Sequence, residues 1–190
     1  DGVVFKESHL TTPEQFELQG HFKNAVDSDI EYMTMEVSSQ GLKYDRVYGI
    51  NYKIGVFLNI GTDHISPVEH PDVEDYFYSK MIIFSQTENA VVNLDTERKD
   101  EVLKFASKCK RMITFSEKDE SADIYGYNIR KNGNDTVFTV RTPDYTEDFT
   151  LTIPGLFNVS NALAAIAVCY ALGVPKRAIY VGLMKARSSG

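Results

Sequence analysis

The stretch AVVNLDTERKDEVLKFASKCKRMITF, residues 90–115, decides the fold class. It opens with the apolar run Ala90–Leu94 and closes with the apolar run Met112–Phe115, and each run predicts a short buried strand. Between them, Glu97–Lys108 carries apolar residues at helical spacing and predicts an amphipathic helix. Two strands joined by a helix are the unit from which parallel sheets are built, so this stretch predicts an α/β fold.

The same alternation of strand and helix continues toward the N-terminus. Tyr32–Ser38 and Ile54–Ile60 predict two further strands, and residues 14–24 predict a short helix. A longer helix is predicted over residues 72–85, where Pro71 and an acidic first turn mark its start. Neither strand is wholly polar on one face, as expected for a sheet that helices cover on both sides.

Downstream of residue 115 the pattern changes to consecutive strands. Three strand candidates have no helix between them: Ile124–Arg130, Thr136–Arg141 and Phe149–Ile153. Asn132-Gly133-Asn134 predicts a hairpin turn between the first two, and helices are predicted over Val159–Leu172 and about Lys176–Lys185. We therefore expect a mostly parallel sheet flanked by helices, with a small antiparallel sheet appended to it.

Size, charge and hydropathy narrow the function. The 190 residues suffice for one domain with its own core. The net charge of −7 argues against nucleic acid or an anionic membrane surface as a partner, although a local site can still bind a phosphorylated small molecule. The longest apolar run, residues 162–174, is too short to span a bilayer. Cys109 and Cys169 lack metal-type spacing, and such thiols fit a reducing, cytoplasmic compartment.

One lysine lies where an apolar residue is expected. The apolar stripe of the helix over residues 72–85 comprises Val73, Phe77, Met81 and Phe84, with Tyr76 beside it. Lys80 falls on this stripe, three residues after Phe77 and four before Phe84. A lysine in that position must snorkel, pair with an anion or carry a modification.

Polar residues also follow two of the predicted strands. Glu36 lies near the end of Tyr32–Ser38, and Asp63-His64 lies in the loop after Ile54–Ile60. The carboxyl ends of parallel strands share one edge of a sheet, and a glutamate with a histidine there suits Mg²⁺ or Mn²⁺ better than Zn²⁺. The alternatives are an exposed strand-end glutamate and an ordinary loop histidine. The other three histidines have no recognisable partner and are expected at the surface: His9, His21 and His70.

Five segments, taken in order, resemble the Mur ligase family over nearly the whole chain. They are Thr11-Thr12-Pro13, Met35–Leu42 with Arg46-Val47, Asn59–His64, Asp75–Lys80 and Pro154–Ala165. The second is similar to the family's Glu-Val-Ser-Ser-(His/Gln)-Gly-Leu stretch, and the last to its Pro-Gly-x-Phe-Asn-x-x-Asn-Ala segment. The first two together point to the subtype that adds the third amino acid to UDP-N-acetylmuramoyl-L-alanyl-D-glutamate.

The resemblance implies an ATP-dependent ligase. The γ-phosphoryl group of ATP passes to the substrate carboxylate, and the amine of a diamino acid (lysine or meso-diaminopimelate) then displaces phosphate from the acyl phosphate. Glu36 and His64 are expected to hold Mg²⁺ or Mn²⁺ together with a CO₂-derived carbamate on Lys80. The carbamate accounts for the misplaced lysine, because it replaces a buried cation with an anion that faces the metal.

The same resemblance assigns the binding residues. Five residues are expected at the UDP-muramoyl substrate: Thr11, Thr12, Ser38, Gln40 and Arg46. Asn158 and Asn161 are expected to flank the adenine of ATP, since a side-chain amide offers both the donor and the acceptor that an adenine edge requires. From the residues alone, Asn158 is also a good helix N-cap.

One family feature is missing from the sequence. No Gly-x-x-x-x-Gly-Lys-(Ser/Thr) phosphate loop occurs, and in the family this loop precedes the paired threonines. Residues 1–187 are therefore expected to be an ATP-binding central domain without its start, and residues 188–190 the beginning of a linker. We expect residues 1–190 alone not to catalyse ligation. A missing first strand would also leave a sheet edge open to pairing with another copy, although the parent protein is expected to be a monomer.

Two alternative functions stay open. A folylpolyglutamate synthase-like ligase shares the acyl-phosphate chemistry, but Ser38-Ser39-Gln40 and Thr11-Thr12-Pro13 favour the muramoyl substrate. A non-catalytic Mur-ligase-like protein would keep the fold, and an intact set of Glu36, His64 and Lys80 is unexpected in such a protein.

Overall fold

The computed structural model describes residues 10–61 and 69–186, which form two compact units. The first unit comprises residues up to 51 together with residues 61–86. The sheet unit comprises residues 52–60 and those from 87 onward. The predicted metal ligand His64 and its neighbour Asp63 lie outside the described residues, as does His9.

The described residues of the first unit form three α-helices and a 3₁₀ helix. These are α1 (Gln15–Asp27), α2 (Ser39–Lys43), α3 (Val73–Met81) and the 3₁₀ helix Ile82–Gln86. The predicted helices over residues 14–24 and 72–85 are therefore confirmed, the second with a tighter last turn. The start of α3 is fixed by Asp72, whose carboxylate accepts a hydrogen bond from the Asp75 N–H at 2.8 Å. The short helix α2 was not predicted, because five residues carry too little periodicity to show in a sequence.

The predicted strand Tyr32–Ser38 is wrong. Residues 31–38 belong to none of the six strands that the described residues form. A strand needs a hydrogen-bonded neighbour, and the apolar, β-prone residues of this segment do not supply one. The side chains of Tyr32 and Met33 are 67% and 46% exposed, so the segment also lacks a buried face. Glu36 therefore lies in an extended segment that leads into α2, not at the end of a strand.

The sheet unit carries one six-stranded sheet whose strand order follows the sequence. The strands are β1 (Tyr52–Phe57), β2 (Thr87–Asn93), β3 (Arg111–Ser116), β4 (Ile124–Asn132), β5 (Asp135–Arg141) and β6 (Thr146–Leu151). Pairing is parallel from β1 to β4 and antiparallel from β4 to β6. The mostly parallel sheet and its antiparallel addition are confirmed, and the addition continues the same sheet through the pairs Phe115–Ile124 and Ser116–Tyr125.

Three helices cover the sheet unit: α4 (Lys99–Ala106), α5 (Asn158–Ala171) and α6 (Lys176–Lys185). Helix α5 buries Val159, Leu163 and Ile166 completely within the core that the sheet forms. It packs so close to β4 that a Cβ on Gly126 would lie 2.7 Å from Leu163 Cδ1, which explains a glycine inside a strand. Gly173, with φ of 71°, follows the helix in the left-handed conformation that commonly ends helices.

The remaining sequence expectations concern thiols and hydropathy. Cys109 and Cys169 are not joined by a disulfide and are partly buried, and burial raises the pKa of both thiols. Within residues 10–61 and 69–186, no helix has the length and the apolar character needed to cross a bilayer.

Candidate active site

The predicted substrate and metal residues of the first unit lie on three of its segments. Thr11 and Thr12 precede α1, the segment from Glu36 to Arg46 contains α2, and Lys80 lies in the last turn of α3.

Thr12 fixes the extended segment that carries Glu36 and Ser38. Its side chain is fully buried, and its hydroxyl oxygen accepts a hydrogen bond from the Ser38 N–H at 2.8 Å. The same hydroxyl lies 3.2 Å from both the Glu36 carbonyl oxygen and Ser38 Oγ, and it donates its single proton to one of them. A Cβ on the buried Gly41 would lie 3.0 Å from Thr12 side-chain atoms, so a larger residue there would push Thr12 away. Thr12 thus uses its hydroxyl inside the protein, whereas Thr11 is exposed.

Ser38 and Arg46 also make contacts within the first unit. The Ser38 hydroxyl caps α2 by accepting the Gly41 N–H at 3.0 Å. Arg46 Nε lies 3.2 Å from Glu14 Oε1, and only 15% of the arginine side chain is exposed. A guanidinium has five N–H donors, so this ion pair leaves Arg46 able to bind a further anion. Gln40, within α2, is partly buried.

Burial distinguishes Lys80 from an ordinary surface lysine. It is partly buried, and its Nζ lies 5.0 Å from the centre of the Tyr76 ring. Burial lowers the pKa of the Lys80 ammonium below its ordinary value, and the Glu36 carboxylate opposes this shift. Glu36 and Lys80 therefore lie close enough to each other to interact electrostatically.

The apolar stripe around Lys80 differs from the predicted one at one position. Tyr76, Phe77, Met81 and Phe84 are buried, with at most 4% exposure. Val73 was placed on the stripe but is 41% exposed. It is the first residue of α3.

His70 is a buried polar residue that sequence analysis placed wrongly at the surface. Its ring is fully buried, with Nδ1 2.6 Å from Asp75 Oδ2 and Nε2 2.8 Å from Ser39 Oγ. The same Asp75 oxygen accepts a hydrogen bond from Lys43 Nζ at 2.6 Å. The hydrogen bond from Lys43, and to a smaller extent the one from His70, lowers the pKa of the Asp75 carboxyl. The hydrogen bond to Asp75 in turn raises the pKa of the Lys43 ammonium. His70 is an isolated bridge residue, outside the helices and the longer strands. No helical or strand periodicity in the sequence therefore marks it.

The described donors fit a metal ion only in part. Among residues 10–61 and 69–186, no three His, Cys, Asp or Glu side chains group together as metal ligands would. Glu36 offers one carboxylate, and a carbamate on Lys80 would add a second anionic oxygen donor. Oxygen donors of this kind suit Mg²⁺ and Mn²⁺. The imidazole that the sequence predicts, His64, lies outside the described residues.

Asn158 and Asn161 lie at the start of α5 in the sheet unit. Asn158 is the first residue of the helix, not its N-cap, and its Nδ2 donates to the Pro154 carbonyl at 2.8 Å. Its Oδ1 accepts from Asn161 Nδ2 at 3.3 Å, and Asn161 is exposed. The neighbouring Phe157 is 75% exposed. The two amides thus form one hydrogen-bonded pair at the surface of their unit.

Comparison with known proteins places these features in a family context. Residues 2–169 match the family model described as Mur ligase middle domain. A UDP-N-acetylmuramoyl-L-alanyl-D-glutamate–2,6-diaminopimelate ligase of Clostridium botulinum is 39% identical over 173 residues, covering 91% of this chain and 35% of that protein. The corresponding L-lysine ligase of Streptococcus pneumoniae serotype 4 is 36% identical over 193 residues, covering 100% of this chain and 38% of that protein. The chain thus spans little more than a third of the length of these relatives.

Solved structures show the same fold. The structure of a UDP-N-acetylmuramoyl-L-alanyl-D-glutamate–2,6-diaminopimelate ligase superposes with a TM-score of 0.87 at 24% identity, covering 95% of this chain and 37% of that chain. A MurF crystal structure from Acinetobacter baumannii superposes with a TM-score of 0.64 at 26% identity over 72% of this chain and 30% of its own. The apo form of L. casei FPGS reaches a TM-score of 0.59 at 15% identity, covering 91% of this chain and 48% of that chain, which is a likeness of fold alone.

Proposed function

The chain belongs to the Mur ligase family, and from that premise we propose that it forms the central part of an ATP-dependent ligase of peptidoglycan precursor synthesis. The proposed reaction adds the third amino acid to UDP-N-acetylmuramoyl-L-alanyl-D-glutamate, as the names of both relatives describe for those proteins. One relative uses 2,6-diaminopimelate and the other L-lysine, so the proposal specifies a diamino acid and not which of the two.

One observation carries the proposal: a partly buried lysine with a lowered pKa lies within electrostatic range of an exposed glutamate. The amine of a lysine must be neutral to react with CO₂, and burial lowers the pKa of the Lys80 ammonium in that direction. We therefore propose that Lys80 carries a carbamate in the working enzyme.

The carbamate forms by a balanced addition. The neutral Lys80 amine attacks the carbon of CO₂, a new N–C bond forms, one C–O π bond opens and the amine proton leaves to water. The lysine changes from a cation into an anion on a long side chain, directed toward the region of Glu36. We propose that Glu36, His64 and this carbamate together hold Mg²⁺, which when bound neutralises charge on the phosphates of ATP.

The other residues bind and align the reactants. Arg46, with its spare donors, would bind anionic groups of the UDP-muramoyl substrate, while Ser38, Gln40 and the exposed Thr11 would donate hydrogen bonds to it. Since the Thr12 hydroxyl is buried and engaged with the Glu36–Ser38 segment, we assign Thr12 the placement of that segment. Asn158 and Asn161 would flank the adenine of ATP. Alignment of this kind is the main contribution a protein makes to phosphoryl transfer.

The proposed function is tested in the full-length protein with ATP, Mg²⁺ and UDP-N-acetylmuramoyl-L-alanyl-D-glutamate. We expect ADP release to require either L-lysine or meso-diaminopimelate, and the product to have the mass of the substrate plus one amino acid residue. If ADP is released with neither of these amino acids but is released when glutamate and a folate are supplied, the result would instead support the folylpolyglutamate synthase-like alternative. No turnover with any of these substrates would support a non-catalytic protein and contradict the proposal.

A further inference from the structure

The buried imidazole of His70 connects two segments that carry proposed metal ligands. Ser39, whose Oγ lies 2.8 Å from Nε2, is three residues after Glu36. Asp75, whose Oδ2 lies 2.6 Å from Nδ1, is on α3 five residues before Lys80. One fully buried ring thus spans the segment of Glu36 and the helix of Lys80.

The hydrogen-bond chemistry fixes the proton on this ring. A carboxylate only accepts hydrogen bonds, so Nδ1 carries a proton and donates it to Asp75. In the neutral ring, Nε2 then accepts from the Ser39 hydroxyl, and both nitrogens are satisfied without contact with water. Because an unsatisfied polar group in a buried place is costly, each bond disfavours any shift of one segment relative to the other.

Two further contacts strengthen the connection. Lys43, the last residue of α2, bonds the same Asp75 oxygen at 2.6 Å, so both ends of α2 are tied to α3. The centre of the Tyr76 ring lies 5.1 Å from the centre of the His70 ring. It lies 5.0 Å from Lys80 Nζ. The imidazole is therefore coupled to Lys80 through one aromatic ring as well as through the helix backbone.

We propose that His70 is a positioning residue that sets the distance between Glu36 and Lys80 by bridging Ser39 to Asp75. This inference rests on the proposed role of Glu36 and Lys80 as metal ligands. Loss of a residue that orients metal ligands without binding the metal itself changes metal affinity and activity by about 10- to 100-fold.

Conservative variants separate the two bonds of His70. His70→Asn keeps an amide N–H near the position of Nδ1 and loses the reach to Ser39, whereas Ser39→Ala removes the same bond from the other side. Thr139→Val is the matched control, because Thr139 is as buried as Ser39 and its hydroxyl donates to Asp148 Oδ1 at 2.6 Å within the sheet unit. All variants are made in the full-length protein.

Two measurements test the bridge: the Mn²⁺ concentration for half-saturation, by electron paramagnetic resonance, and amide hydrogen exchange along the chain. For His70→Asn and Ser39→Ala we expect half-saturation to rise about tenfold and protection to fall over residues 36–43. The double variant should behave as either single variant does, and Thr139→Val should leave both readouts at the wild-type level. Destabilisation of the His70→Asn variant without either of the two local changes would overturn the inference.

Failure of the proposed function gives a different result. If the wild-type protein binds no Mn²⁺, the proposed metal site is refuted, and hydrogen exchange alone decides the role of His70. Loss of protection confined to residues 36–43 would then still support the bridge. A loss spread evenly over the protein would overturn it.

Discussion

At the scale of single residues, the proposed metal site depends on how burial changes the chemistry of one lysine. The position of Lys80 among apolar residues was predictable from helical spacing, since Phe77, Met81 and Phe84 are indeed buried. The partners of His70 were not predictable. The ring bonds to Ser39, 31 positions earlier in the sequence, and to Asp75, five positions later. No local pattern in a sequence shows such contacts.

Removal of the Lys80 amine tests the proposed carbamate. In the full-length protein, Lys80→Ala should lower kcat about a hundredfold or more, because the site loses an anionic metal ligand and phosphate charge is left unbalanced. Lys23→Ala provides the control, since Lys23 is an exposed lysine of the same unit that pairs with Asp27. Steady-state kinetics of ADP release measure the effect, and equal activity of both variants would exclude a role of Lys80 in catalysis.

The lowered pKa of Asp75 predicts a pH dependence of stability. A carboxyl whose pKa is lower in the folded than in the unfolded protein stabilises the fold above its unfolded pKa and loses this contribution as pH falls through the folded pKa. We therefore expect Asp75→Asn to be less stable than wild type at neutral pH. The difference should shrink as pH falls below about 4, the ordinary pKa of an aspartate, and on through the lower pKa of the folded carboxyl. Urea unfolding at a series of pH values measures it, and a difference that grows on acidification would contradict this account.

At the scale of elements, helices were easier to predict than the segment that carries Glu36. Helix α3 has a capping aspartate and an acidic first turn, and both signals are local. The segment Tyr32–Ser38 has strand-like composition, but a strand depends on a distant partner that composition does not reveal. A buried hydroxyl, that of Thr12, bonds to this segment instead.

Thr12 offers a direct test of that bond. Thr12→Val keeps the shape of the side chain but leaves the Ser38 N–H without its acceptor, and we expect it to lower the free energy of unfolding by about 1–3 kcal/mol. Thr12→Ser retains the hydroxyl and should cost about 1 kcal/mol through the lost methyl group. Chemical denaturation compares the two variants. If Thr12→Ser were the less stable variant, packing of the methyl group, not the hydroxyl, would hold the segment.

At the scale of the whole molecule, the change from parallel to antiparallel pairing agrees with the sequence pattern. Alternating strands and helices predict parallel neighbours, and three strands without helices predict antiparallel ones. Periodicity alone does not tell whether the antiparallel strands form a second sheet or extend the first. The short pairing of β3 with β4 decides this, and it involves only Phe115 and Ser116 on β3.

The metal centre is the central claim at this scale, because its proposed ligands come from three separate segments. The most direct measurement is a crystal structure of the full-length protein grown with Mn²⁺ and ATP, with the metal located by its anomalous scattering. We expect one Mn²⁺ ion bound by Glu36, His64 and the carbamate oxygen of a modified Lys80. An unmodified Lys80 with Mn²⁺ bound away from both Glu36 and His64 would contradict the account.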